Sequence, residues 1–168
     1  MDQILLALGY CGNGLEGLVS RHAQLVFPRV DDCISLFLNH GCVREDIERD
    51  ARAFYLTGGW LSHDNPVHKS HECLRARFGP ARAAELTRAS MAAYRRITLI
   101  DTGAYEIADF KPQSESFAAD LKLDHSQVRG SVQLLERLFA GPWDSEIVVT
   151  APGEAISIWH LFHNEGRH

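Results

Sequence analysis

The chain has 168 residues, a net charge of -5 and a hydrophobic share of 45%, the size and composition of one folded domain, with nothing that suggests disorder. With 22 acidic against 17 basic residues and no Lys/Arg block, it lacks the clustered positive charge that nucleic-acid binding needs. No apolar run reaches the ~18–20 residues that span a bilayer, and Met1-Asp2-Gln3 lacks the basic start of a signal peptide, so the chain is expected in the cytoplasm, away from membranes, with its cysteines reduced.

In chain order, residues 4–8 form a short apolar run that predicts a buried strand ending at Gly9. Gly12-Asn13-Gly14 follows, with a short helix expected over 15–22 and a second strand over 24–27, stopped by Pro28. Asp31 or Asp32 caps the next helix, whose Ile34, Phe37 and Leu38 share a face and which Gly41 ends. The charged stretch 44–50 reads as helical, and 53–57 as a third strand ended by Gly58-Gly59. Residues 62–70 read as irregular around Pro66, and 72–78 as helical. Past Gly79-Pro80, residues 81–95 form the clearest helix, rich in Ala, Leu and Arg. A fourth strand is expected over 97–100, helices over 114–121 and 131–139, a fifth strand over 146–150, and a short helix within 155–168.

This alternation of strand and helix predicts one α/β domain over residues 1–168. Its layers are a mostly parallel central sheet of about five strands with helices on both faces, in the Rossmann-like manner. Self-association is left open by the sequence.

Small and polar residues recur after each predicted strand: Cys11-Gly12-Asn13-Gly14, Pro28-Arg29-Val30-Asp31-Asp32-Cys33, Gly58-Gly59-Trp60, Asp101-Thr102-Gly103 and Pro152-Gly153-Glu154. In an open parallel sheet this is the edge where ligands bind, although glycines and aspartates are also ordinary turn formers. Three chemistries compete for it. Gly12-Asn13-Gly14-Leu15-Glu16-Gly17 fits G-x-G-x-x-G after a strand, with Asp31 and Asp32 downstream, as a nucleotide or S-adenosylmethionine site requires. Phe27 ends the second strand before those acids, which weighs against it. Cys11 and Cys33, from two such loops, could hold a soft or borderline metal such as zinc or iron. A third ligand would come from Asp31, Asp32 or the stretch His63, His68, His71, Cys73, where His71-x-Cys73 offers a chelate. His160, His163 and His168 are weaker candidates. Thiol catalysis is the third chemistry. Cys11 is its better nucleophile, because the two aspartates before Cys33 oppose a lowered thiol pKa. Trp60 would wall a planar ligand, and Arg29 would clamp a carboxylate or phosphate or pair with Asp31 or Asp32.

Leu8-Gly9-Tyr10-Cys11-Gly12-Asn13-Gly14-Leu15 resembles the first signature of the uncharacterised DUF1638 family. Pro28-Arg29-Val30-Asp31-Asp32-Cys33-Ile34 resembles the second, Tyr55-Leu56-Thr57-Gly58-Gly59-Trp60 the third, and Tyr94-Arg95-Arg96-Ile97-Thr98-Leu99-Ile100-Asp101-Thr102-Gly103 a later block. Members are often encoded near corrinoid-dependent methyltransferases. The resemblance therefore implies methyl-group or corrinoid metabolism, with a corrinoid protein or methyltransferase as partner. Cys11 and Cys33 match the family's recurring cysteines. Many relatives carry His where this chain has Asp31, so Asp31 replaces that group or the site has changed. Longer relatives begin with an extra strand and helix, so this chain is a short member or an incomplete one.

The expectation is thus a metal- or cofactor-binding protein. Cys11, Cys33 and Asp31 are its metal ligands, and Gly12, Asn13, Gly14, Arg29, Gly59, Trp60, Asp101 and Thr102 line a cofactor site. The rivals are a nucleotide- or S-adenosylmethionine-binding enzyme built on Gly12, Gly14 and Gly17, and a non-enzymatic partner of a corrinoid protein. Whether the chain is an enzyme stays open.

Overall fold

Two three-stranded sheets organise the chain in place of the single five-stranded sheet that the sequence predicts. The computed structural model describes residues 2–41, 44–63 and 66–162. Its elements run β1 (Asp2–Leu5), β2 (Ala23–Pro28), α1 (Cys33–Leu38), a 3-10 turn (Arg44–Asp46), β3 (Ala53–Leu56), α2 (Gly58–Ser62), α3 (Pro66–Phe78) and α4 (Pro80–Ser90). They continue with β4 (Arg96–Asp101), α5 (Ile107–Leu121), β5 (Asp124–Arg129), α6 (Gln133–Ala140), β6 (Ile147–Val149) and α7 (Trp159–Phe162). The α/β class holds. The chain divides into a first unit, drawn from residues up to Arg49 and from Ser131 onward, and a second unit, Asp50–Gly130.

In the first unit β1 pairs parallel with β2, and β6 pairs antiparallel on the other side of β2. β2 is the central strand, and its alternation sends side chains into two clusters. Leu25 and Phe27 pack with Tyr10, Leu15, Val148, Ile156 and Leu161 on one face. Val26 packs with Val30, Leu36, Leu134, Leu138 and Ile147 on the other. A strand buried on both faces reads as a continuous apolar run, as Leu25-Val26-Phe27 does. The antiparallel β6 reverses one expectation. Val149 pairs with Val26 and Ile147 with Pro28, so the Pro152-Gly153-Glu154 turn leaves the sheet at the end opposite Arg29.

The helix expected over 15–22 does not form. Gly17 takes φ +77°, and the backbone of this stretch bonds to a distant segment instead: Gly17 N–H to Ile156 O at 2.8 Å, Ile156 N–H to Leu18 O at 2.9 Å and Gly153 N–H to Ser20 O at 2.8 Å. A tertiary pairing has outbid a marginal local propensity.

The second unit is an all-parallel sheet in the order β3-β4-β5. Ile97 and Leu99 of β4 join Leu56, Leu61, Met91, Phe117, Ala118 and Leu121 in its core. β5 escapes the sequence reading because Asp124-His125-Ser126-Gln127-Val128-Arg129 is nearly all polar. Two of its polar side chains are satisfied in place: Ser126 bonds Thr98 at 2.8 Å and His125 bonds Ser114 at 2.9 Å. The stretch expected to be irregular is helical from Pro66. α5 begins at Ile107, ahead of the expected 114, and accepts Pro112 in its interior, losing one ladder hydrogen bond. Among the described residues no helix is long and apolar enough to cross a membrane.

Candidate functional site

The loops after β1 and β2 are zipped together by backbone. Tyr10 N–H donates to Val30 O at 3.0 Å, and Cys11 N–H donates to Asp31 O at 2.7 Å. Gly9 makes this approach feasible: a Cβ built there would lie 2.5 Å from the carbonyl carbon of Asp32. The zipper brings Cys11 beside Cys33, the first residue of α1. Asp32 caps that helix by accepting from Ser35 N–H at 2.9 Å, a contact worth about 1 kcal/mol. Cys11 itself has φ +50°, followed by Gly12 at +59° and Asn13 at +74°. A left-handed backbone costs a non-glycine residue roughly 1–2 kcal/mol, and such strain collects at working sites. Cys11 is exposed and Cys33 half-buried, and neither is in a disulfide.

Burial pushes the Cys33 thiol up to about 11; the adjacent Cys11 thiol, by charge and hydrogen bond, and the Asp32 carboxylate push the same way. The opposition of the aspartates to a reactive Cys33, read from the sequence, is therefore realised at Asp32. Burial also raises the Asp32 carboxyl, but the Ser35 N–H and the Arg49 guanidinium outweigh it, so the group stays below its ordinary value. We expect alkylation of Cys33 to keep accelerating with pH up to about 11, and its midpoint to fall in Cys11→Ala. Mass-resolved alkylation rates check this, and an unchanged midpoint refutes it. Because the folded thiol titrates above the ordinary 9.0, its contribution to stability is complete below pH 9.0 and is lost as pH climbs through about 11.

The other expected ligands go elsewhere. Asp31 pairs with Arg44 at 2.8 Å. Among the described residues no group of three His, Cys, Asp or Glu side chains is arranged to hold a metal ion, so Cys11, Cys33 and Asp31 do not form a three-ligand cage. Gly12, Asn13 and Gly14 lie in consecutive turns, with Gly14 N–H on Cys11 O at 3.2 Å and Glu16 N–H on Asn13 O at 3.1 Å. They open no helix, so the pyrophosphate-binding context of G-x-G-x-x-G is missing. The Arg29 guanidinium donates to the backbone carbonyls of Ser145, at 2.6 Å, and His160.

Gly59, Trp60, Asp101 and Thr102 belong to the second unit. Gly59 and Trp60 lie inside α2, where Trp60 N–H donates to the capping Thr57 Oγ1 at 3.3 Å. Asp101 and Thr102 accept from Gly103 and Ala104 N–H at 3.1 and 3.3 Å, which closes the turn after β4.

His71 and Cys73 cannot chelate one ion. They sit two apart on α3, His71 buried and Cys73 exposed, and positions two apart on a helix face different ways. His63 is exposed. Cys42, His163 and His168 lie outside the described residues. His160 bonds Glu154 at 3.2 Å and accepts from Ser157 N–H at 3.0 Å.

Sequence reasoning missed two features. Gly9 read as a mere strand end, and only a spatial neighbour reveals its need. In the second unit, His71 is 1% exposed and bonded on both ring nitrogens, to Thr87 at 2.9 Å and Asp120 at 3.3 Å. Arg75 holds the same Asp120 oxygen at 2.5 Å, beside a groove of about 380 Å³ that His68 and Phe117 also line. Burial holds the His68 imidazole below its ordinary pKa, with nearby Glu72 opposing. The spacing of His71 and Asp120 on separate helices gives no local signal.

Comparison with curated proteins and with solved structures finds no match. A family model does match, over residues 1–139, and the chain belongs to that family, the proteins of unknown function DUF1638.

Proposed function

We propose that the chain is a cytoplasmic metal- or cofactor-binding protein of methyl-group and corrinoid metabolism. Its working groups are Cys11 and Cys33 at the C-terminal edge of the β1–β2 pair. The observation that carries this reading is the juxtaposition of the two thiols from separate loops, with Cys11 held in a strained backbone. Two thiolates are soft donors suited to zinc or iron. A tetrahedral ion held by them keeps two positions for a water, a substrate or a group supplied by a partner. A bound cation would displace the proton that burial and Cys11 hold on Cys33. Next to Cys11, a Cβ built at Gly12 would meet no atom within 4 Å.

Protein purified without oxygen is expected to carry one equivalent of zinc or iron by elemental analysis, and to lose it in Cys11→Ser and in Cys33→Ser. Metal-free native protein with its thiols reduced overturns the metal reading, as does metal retained in both variants. Retention of a corrinoid protein on the immobilised chain tests the partner, and failure to retain it rejects that role.

A further inference from the structure

We propose that Cys11 and Cys33 form a reversible dithiol–disulfide couple, in which exposed Cys11 meets an incoming small-molecule disulfide and Cys33 closes the internal bond. The inference rests on the meeting of the two thiols and not on a bound metal.

Three observations carry it. The backbone zipper of Tyr10 on Val30 and Cys11 on Asp31, with Gly9 packed against Asp32, holds the two cysteine-bearing loops at contact distance. Both cysteines belong to the first unit, and both are free thiols. Their exposures differ: Cys11 is open to solvent and Cys33 is half-buried. That asymmetry orders the steps, because attack requires access.

The Cys11 thiolate attacks one sulfur of a disulfide R–S–S–R, forming Cys11–S–S–R and expelling R–S⁻, which takes up a proton. The Cys33 thiol then loses its proton to solvent and attacks the Cys11 sulfur. The internal disulfide forms, and a second R–SH leaves. Two protein thiols are oxidised and one small disulfide is reduced to two thiols.

The test treats the full-length reduced chain with oxidised glutathione, counts its thiols and maps the peptides, with metal content measured on the same sample. We expect two of the four cysteines to be lost, one cross-linked peptide pair joining Cys11 to Cys33, and full recovery with a reductant. Cys33→Ser should stop at a glutathione adduct on Cys11, and Cys11→Ser should leave Cys33 unmodified. A wild-type chain that keeps all its thiols under excess oxidant overturns the inference. So does a cross-link involving Cys42 or Cys73, or a first adduct on Cys33. Metal binding without disulfide formation sinks this inference alone, and a disulfide without metal sinks only the metal reading.

Discussion

Gly9→Ala is expected to destabilise the first unit by about 3 kcal/mol, at the upper end of ordinary overpacking, and to lower Tm by roughly 10 °C. The added methyl would sit 2.5 Å from the carbonyl carbon of Asp32 and 2.7 Å from its Cα. Both are backbone atoms, which cannot swing aside as a side chain can. The loops must therefore part, and the hydrogen bonds of Tyr10 to Val30 and Cys11 to Asp31 lengthen with them. Parting the loops also separates the thiols. The same variant should bring the Cys33 titration down from about 11 and slow disulfide closure. A thermal melt and an alkylation profile read both effects. An unchanged Tm would show that the loops are not packed this closely.

Phe117→Ala should cost about 4 kcal/mol, the range for emptying an aromatic site in a core, whereas Phe117→Leu should cost only about 1 kcal/mol. Phe117 is 2% exposed in the core of the second unit. The rings of His68 and His71 stand edge-on to it at 5.2 and 5.4 Å. Removing the ring opens His68 to water. Its pKa, lowered chiefly by burial, should then rise toward the ordinary histidine value. Urea midpoints measure the stability loss, and an NMR titration of His68 measures the pKa. A loss under 1 kcal/mol, or an unmoved His68, would contradict the packing.

Of the candidate site, the meeting of the loops that bear Cys11 and Cys33 was legible. Cys11 and Cys33 stood out because each follows a strand of one parallel pair, and parallel strands present their following loops at the same edge. β1–β2 is such a pair. Asp31 was not legible as an arginine partner. Arg44 lies 13 residues away along the chain, and no local pattern announces that they meet. Gly59 and Trp60 read as a loop because glycine pairs mark turns, yet Thr57 caps a short helix there.

Residue order alone determined the α/β class, strands β2, β3 and β4, helices α1, α4 and α6, and the pair of cysteines worth testing. Each of these is written in local periodicity and in the residues that punctuate it. Tertiary structure decided that there are two sheets, that β6 runs antiparallel, that the stretch after Gly14 forms no helix, and that polar β5 is a strand. These outcomes depend on which distant backbone groups find each other. A buried N–H or C=O must be satisfied wherever a partner is within reach, and the partner's position is set by the whole chain and not by its neighbours in sequence.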